Sequence, residues 1–390
     1  MSKDNYKDWS EEDFIREIKR LKKRKKYGVV WEDKPEQVAL FCKEKLPIII
    51  EDKSKEIRDN NNKPINILIE GDNYHSLSVL NYTHKGKIDV IYIDPPYNTG
   101  SEDFRYNDKI VDLEDNFRHS KWLSFMNKRL NLAKNLLSSS GVIFISIDKN
   151  EFAQLKLLCD DIFSERNYLG SLIWKKRGGI GSFSEKNLTE NHEYILVYRK
   201  TRDGFLYHNI VGEKRRKEFK HSDKKGLYRW MGLLGPSQQT KKRRPNLNYG
   251  IIYDEKNKKI VGFETIDKQK NYFDKGYSDK LNSIWVDGEA TWLIGKEMME
   301  KYYKKGLISI FNEGGKYQVK IKNYLFNEFG DINGTILKSL LSDNDIDIGM
   351  NTEATKQIRE IFESSDYDEM RPKPLSLIKL LISLRSNKNS

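Results

Sequence analysis

Residues 88–100 read IDVIYIDPPYNTG, and the way this run ends restricts what the chain can build around it. Ile88, Val90, Ile91, Tyr92 and Ile93 are β-branched or aromatic, the composition of a short buried strand in a parallel sheet. Pro95 and Pro96 then stop it, because neither donates to a ladder or continues as helix. The predicted result is a rigid loop at the carboxyl end of a strand, where open α/β sheets place their ligands. It offers one carboxylate (Asp94), carbonyls fixed by proline, and one aromatic ring (Tyr97). That set suits a flat, amino-bearing ring: Asp94 and the Pro95 carbonyl accept from an exocyclic amine, and Tyr97 stacks on its face. The competing reading is an ordinary Pro-Pro turn beside an acid; the strand context argues against it.

The alternation continues on both sides of this loop. Residues 65–70 (INILIE) are predicted as a short strand, followed by a helix over 73–80 and the strand already described. Residues 122–137 carry apolar side chains at helical spacing (Leu123, Met126, Leu130, Ala133, Leu137), and 141–148 (GVIFISID) are predicted as a strand. A helix over 151–163 and strands over 171–174 and 193–199 (EYILVYR) complete the pattern. Strands alternating with helices predict an α/β fold, a doubly wound and mostly parallel sheet, over 65–200. Residues 1–64 form a charged lead-in with a linker over 54–64. From about 201 the rhythm fades: Lys and Arg clusters at 214–217 and 241–244 alternate with Trp, Tyr and Phe. An inserted α+β domain is predicted over 201–355. Residues 356–390 then return to the first domain through an apolar helix that begins at Lys373-Pro374.

Charge narrows the partner. Lys and Arg total 70 against 58 Asp and Glu, a net +12 with a pI near 9.2 and 12% aromatic residues. That balance favours a polyanion, nucleic acid before membrane, although abundant Asn and Lys point to a codon-bias contribution. Cys42 and Cys159 stand far apart in no metal spacing, so neither a disulfide framework nor a metal site is expected, and a reducing cytoplasm fits. No run approaches the roughly 20 apolar residues of a membrane span, and residues 1–10 lack a signal-peptide core.

Several further segments join the Pro-Pro loop in a specific resemblance. They are residues 27–32 (YGVVWE), 68–73 (LIEGDN), 94–100 (DPPYNTG), 122–130 (WLSFMNKRL), 141–148, 192–198 (HEYILVY), 244–246 (RPN) and 372–378 (PKPLSLI). Together they resemble DNA adenine-N6 methyltransferases of the permuted (beta) class. More narrowly, they resemble the modification subunit of a type III restriction-modification system. The resemblance implies a Rossmann-like methyltransferase fold and methyl transfer from S-adenosylmethionine to an adenine flipped out of double-stranded DNA. Asp94, Pro95, Pro96 and Tyr97 would form the catalytic loop. Asp72, Asn73, Lys373 and Pro374 would lie near S-adenosylmethionine, and the inserted domain would recognise the target. The expected partners are a second copy of the chain and a restriction subunit.

The chemistry is accessible to these residues on physical grounds. The lone pair of an adenine amine is delocalised into the ring, so it is a poor nucleophile. Two acceptors aimed at its hydrogens favour a pyramidal nitrogen whose lone pair faces the methyl donor, and positioning with electrostatics supplies most of the rate. The base must leave the duplex to reach the loop. Asp72 admits two readings, a ligand to ribose or the N-cap of the next helix. Lys373-Pro374 is equally a helix start. Lys241, Lys242, Arg243 and Arg244, followed by Asn246, are the preferred DNA contact, against a solvated face.

One element of the permuted class is missing: no Phe-x-Gly-x-Gly turn follows the Lys-Pro helix, or occurs anywhere in the sequence. The expectation is an incomplete, C-terminally truncated methyltransferase fold, inactive alone or completed by a second chain. The alternatives are a non-catalytic DNA-binding remnant and an amino-group methyltransferase acting on RNA or protein. Residues 177–182 (RGGIGS) are read as a loop near the target base rather than a dinucleotide loop. Asp148 is read as a helix cap, His192 as structural, Trp285 and Trp292 as core, and residues 20–26 (RLKKRKK) as solvated surface.

Overall fold

The computed structural model describes residues 9–22, 28–57, 65–100, 104–107, 109–178, 188, 190–207, 212–326, 337–341, 348–362 and 371–385. Residues 23–26 of the basic run and 179–182 of the glycine-rich loop lie outside them. Two units divide the chain: residues 1–208 with 336–390, and residues 209–335.

The first unit carries the alternation. The elements of this unit that frame its sheet are α1 (Asn73–Thr83), β1 (Ile88–Ile93), α2 (Arg118–Leu136), β2 (Leu137–Ile147), α3 (Phe152–Cys159), β3 (Tyr168–Lys175), β4 (His192–Arg199), β5 (Leu340–Leu341), α4 (Asn351–Ile361) and α5 (Leu375–Ser383). Helices Glu11–Lys22 and Gln37–Glu44 and a short hairpin of Arg105–Tyr106 with Lys109–Ile110 lie outside that sheet. The five strands form one sheet in the order β1-β2-β4-β3-β5. The α/β class is the expected one, but the strand directions are more mixed than the mostly parallel sheet predicted. β1 with β2 and β3 with β5 pair in parallel, whereas β4 runs against both β2 and β3. Periodicity reports which residues are buried and says nothing of direction, and a strand buried on both faces reads the same either way.

The core follows from the same residues. In β2, Val142, Ile143, Phe144, Ile145 and Ile147 are fully buried, and in β4 so are Ile195, Leu196 and Tyr198. Trp122, Leu123, Met126, Leu130 and Ala133 of α2, with Leu155, Leu158 and Cys159 of α3, pack on Ile143, Ile145, Ile147, Leu196 and Tyr198. Burying each large apolar side chain stabilises by about 1.5–3 kcal/mol, so this layer fixes where α2 lies. That helix joins β2 with no loop: it ends at Leu136, and Leu137, fully buried, donates its N–H to the Ala133 carbonyl while starting the strand.

Residues 65–70 correct the sequence reading. They form no strand and join no ladder among the described residues, and Ile65, Ile67 and Leu68 are 89%, 70% and 97% exposed. An apolar run becomes a strand only when a neighbour accepts its N–H groups. β1, for its part, pairs with β2 alone among the described strands.

The second unit, 209–335, is narrower than the 201–355 predicted. It contains two four-stranded antiparallel sheets. One runs Ile308–Glu313, Lys316–Tyr324, Gly226–Gly232, His221–Asp223; the other runs Lys270–Tyr272, Lys259–Glu264, Gly250–Asp254, Leu281–Ile284. Tyr249, Ile251, Phe263, Trp292, Met299 and Val319 belong to one shared core. Trp292 is 2% exposed and donates its indole N–H to the Tyr249 carbonyl at 2.7 Å. Trp285 lies on Gly250, where a Cβ would come within 2.6 Å of its ring. Both tryptophans therefore pack. This unit holds 26 Lys and Arg against 16 Asp and Glu, a net +10 of the chain's +12.

Candidate active site

β1 delivers Asp94 at its carboxyl end, and three anchors shape the loop that follows. The Trp122 indole N–H donates to the Pro96 carbonyl at 2.7 Å, tying the double proline to α2. Asn98 and Gly100 both adopt left-handed backbone, φ 58° and 80°. A Cβ at Gly100 would come within 2.4 Å of Leu113, so glycine is required there by space as well as by φ. The Pro95 carbonyl accepts no hydrogen bond among the described residues, which leaves it available beside Asp94.

The side chains of this loop meet β3, β4 and the start of α5. The Tyr97 hydroxyl donates to Asp94 Oδ1 at 2.8 Å and lies 3.1 Å from Glu193 Oε2. Lys373 Nζ reaches Glu193 Oε2 at 2.7 Å and the Tyr97 oxygen at 2.9 Å, and lies 3.5 Å from Asp94 Oδ1. Lys176 Nζ donates to Glu193 Oε1 at 3.2 Å. The Lys373 ammonium also sits 5.1 Å from the centre of the Tyr97 ring and 5.5 Å from that of Trp174. Thus Asp94, Tyr97 and Lys373 form one network, with Tyr97 and Lys373 separated by 276 residues in sequence.

The charges of the network differ in kind. Burial pushes Asp94 up from the carboxylate range; Lys373 and the Tyr97 hydrogen bond pull it down without reversing the shift. Its side chain still keeps 35% exposure, so the carboxyl is enclosed yet reachable. Burial also raises Glu193, but Lys373 and Lys176 outweigh it and hold this carboxyl below the usual range. Tyr97 and Tyr92 are pushed up, first by burial and then by Asp94, and remain neutral phenols. Glu193 and Lys176 were not singled out from the sequence. The only signal was one acid opening an otherwise apolar strand, a position that needs a cation when the strand is buried.

Other sequence candidates fall elsewhere. Asp72 is the N-cap of α1: its Oδ1 accepts from Tyr74 N at 2.7 Å and His75 N at 3.4 Å, and its Oδ2 lies 3.5 Å from Arg129. Asn73 is the first residue of that helix, and Pro374 stands at the N-cap position of α5. Asp148 accepts from the Asn150 backbone and side chain, each at 2.8 Å, closing the turn before α3. His192 lies edge-on to Tyr194, ring centres 5.0 Å apart. Lys242, Arg243 and Arg244 are exposed on a turn of the second unit, Lys241 is half-buried, and Asn246 borders a cleft of about 560 Å³ with Lys296 and Lys301. Among the described residues no cluster of His, Cys, Asp and Glu can hold a metal ion. No described helix is long and apolar enough to cross a membrane.

Residues 88–390 match the family model of the DNA methylases. The EcoP15I Mod subunit of a type III restriction-modification enzyme from Escherichia coli is 38% identical over 182 residues, 41% of this chain and 28% of that protein. The probable HindVI Mod subunit from Haemophilus influenzae is 46% identical over 151 residues, 38% of this chain and 19% of its own. The EcoPI Mod subunit from Escherichia phage P1 is 29% identical over 373 residues, 88% of this chain and 55% of that one. The chain thus spans between about a fifth and about half the length of these relatives.

Proposed function

The chain belongs to the DNA methylase family, and on that premise we propose that it transfers a methyl group from S-adenosylmethionine to the N6 amine of an adenine in DNA. The observation that carries the reading is Asp94, enclosed but reachable, beside a Pro95 carbonyl with no competing donor among the described residues. One N6 hydrogen goes to Asp94 and the other to Pro95 O, which localises the nitrogen lone pair outside the ring plane. Asp94, raised by burial, is a better acceptor than an ordinary carboxylate. The base stacks on the face of Tyr97 that Lys373 leaves free. The proton shed by the methylated amine leaves through Asp94 to solvent.

S-adenosylmethionine, when bound, supplies the electrophilic methyl. The residues present suit it in two places. Lys373 brings an ammonium to the Asp94–Tyr97 network, where a donor's carboxylate finds a partner, and Pro374 fixes the turn that carries it. Asp72 spends one oxygen on the cap and leaves the other facing Arg129 and solvent, suited to a ribose hydroxyl. The proposal extends to a second polypeptide segment completing the donor side. It is supported by the outer edge of β1, which has no neighbour among the described strands, and by the exposed apolar run at 65–70. The second unit, with its net +10, is the proposed DNA-recognition part, and residues 241–244 with Asn246 its contact. A second copy of the chain and a restriction subunit are the proposed partners, in the compartment that holds the DNA.

The test is methyl transfer to genomic DNA by the purified chain, alone and with the product of the adjoining reading frame. Wild type methylates adenine, and Asp94→Ala lowers the rate about 10²–10³-fold, the scale of losing one pre-aligned polar group at the reacting atom. Methylation surviving in Asp94→Ala rejects the assignment of the loop. No transfer in either setting leaves a DNA-binding remnant as the answer.

A further inference from the structure

A second polar cluster lies behind the loop. Asn98, next in sequence to Tyr97 and 1% exposed, brings its amide nitrogen to Glu151 Oε1 at 2.5 Å and to the Arg118 carbonyl at 3.5 Å. Glu151 is fully buried, and the same Oε1 also contacts His119 Nδ1 at 2.7 Å. An ion pair with His119 is one arrangement, but the histidine's other side argues against it. The Arg118 Nε–H donates to His119 Nε2 at 3.2 Å. An imidazolium has no lone pair to accept with, so Nε2 is bare and Nδ1 carries the proton. The Gln154 amide stands 3.4 Å from Nδ1, a longer contact than the carboxylate's. His119 is then a neutral donor, and Glu151 lacks an imidazolium partner.

Two atoms of this cluster are buried without a partner among the described residues: Glu151 Oε2 and Asn98 Oδ1. Both are acceptors, and a buried acceptor left bare loses its water without compensation. Oε1 already receives the Asn98 amide, so the other half of the same carboxyl and the other half of the same amide are the natural complements. One proton satisfies both. We propose that Glu151 is a neutral carboxylic acid whose Oε2–H donates to Asn98 Oδ1, and that this acid–amide pair positions the Asp94–Tyr97 loop. The left-handed backbone at Asn98 is held by two parallel hydrogen bonds, and Tyr97 and Asp94 inherit its placement.

The groups facing Glu151 are Asn98 from the loop, Arg118 and His119 from α2, and, through His119, Gln154 from α3. Arg118 is the only full charge among them. Burial raises the Glu151 carboxyl, and Asn98, His119 and Arg118 lower it by less. The consequence has a sign. In the unfolded chain Glu151 ionises near the usual 4.5, while the folded chain keeps the proton to higher pH. Stability therefore falls as pH rises from the unfolded toward the folded value, and the loop loosens only as pH passes the folded value and the acid gives up its proton.

The role in positioning rests on the methyltransferase reading, so the experiment separates the two. Wild type, Glu151→Gln and Glu151→Ala are compared by infrared absorption near neutral pH and by urea unfolding across pH. Gln reproduces the proposed acid, a carbonyl acceptor beside a donor. The expected result is a protonated-carboxyl band in wild type that Glu151→Gln removes. Glu151→Gln is also expected to match wild type at low pH and exceed it as pH rises. In methyl transfer Glu151→Gln stays within about twofold of wild type and flattens the alkaline limb. Glu151→Ala loses about tenfold or more in kcat, the scale of misplacing a reacting group, with KM for DNA nearly unchanged. No carboxyl band assignable to Glu151, or Glu151→Gln as unstable as Glu151→Ala at every pH, overturns the acid–amide pair. An intact band and pH signature in a wild type that transfers no methyl overturns the catalytic reading and leaves the pair standing.

Discussion

Glu193→Gln removes one charge from the most enclosed carboxylate of the network, and the structure sets the size of the effect. The side chain is 7% exposed and meets Lys373 at 2.7 Å, Tyr97 at 3.1 Å and Lys176 at 3.2 Å. At such separations, with an effective dielectric near 20, each lysine attraction is about 5–6 kcal/mol gross. Most of that offsets the desolvation of three charges, since the lysine side chains are only 12% and 18% exposed. Glutamine keeps the shape and one acceptor, so the loss is the charge-assisted part, about 1.5–3 kcal/mol. Urea unfolding of wild type, Glu193→Gln, Lys373→Met and the double variant measures it, with an expected coupling of about 1–3 kcal/mol between positions 193 and 373. The pH dependence supplies an independent sign. The lysines hold Glu193 below its usual 4.5. Its contribution is therefore full above that value and is lost as pH falls through the folded one; Glu193→Gln lacks this acid slope. A variant within about 0.5 kcal/mol of wild type with an unchanged slope, or zero coupling to Lys373, refutes the argument.

Trp122→Phe deletes the hydrogen bond to the Pro96 carbonyl; stability should drop by about 1–3 kcal/mol, and methyl transfer should drop more than DNA affinity. Replacing residues 241–244 by alanine should lower DNA affinity and flatten its salt dependence by about 0.9 in log–log slope for each phosphate contact removed. Salt titrations of anisotropy with a labelled duplex check this, and an unchanged slope assigns the run to solvated surface. Leu68→Ser should leave stability of the isolated chain within about 0.5 kcal/mol of wild type, since Leu68 is 97% exposed. A loss above 2 kcal/mol by urea unfolding contradicts an unpaired segment.

The loop was legible in the sequence because its chemistry is contiguous: strand, carboxylate, double proline and ring fall within ten residues. Lys373 could be placed near it only through resemblance, for no local pattern reports a partner 276 residues away. Glu193 and Glu151 escaped for the same reason. Each is an unremarkable acid until folding removes its water, and only then does its partner become obligatory. The run at 65–70 misled in the opposite sense, being apolar enough for a strand while joining no ladder among the described residues. The run of β4 against β2 and β3 was likewise invisible, because side-chain alternation is the same read in either direction.

The seamless join of α2 to β2 bears on how this protein tolerates change in length. Leu137 is at once the helix cap and the first strand residue, and it is fully buried. One residue inserted there has no loop in which to be absorbed, so it must rotate α2 by about 100° about its axis. Trp122 would then swing away from Pro96, and Arg118 and His119 away from the Asn98 turn. Natural insertions and deletions, and engineered tags or domain grafts, should therefore be excluded from residues 133–141. The catalytic loop, nearly forty residues upstream, depends on the chain keeping count at this junction.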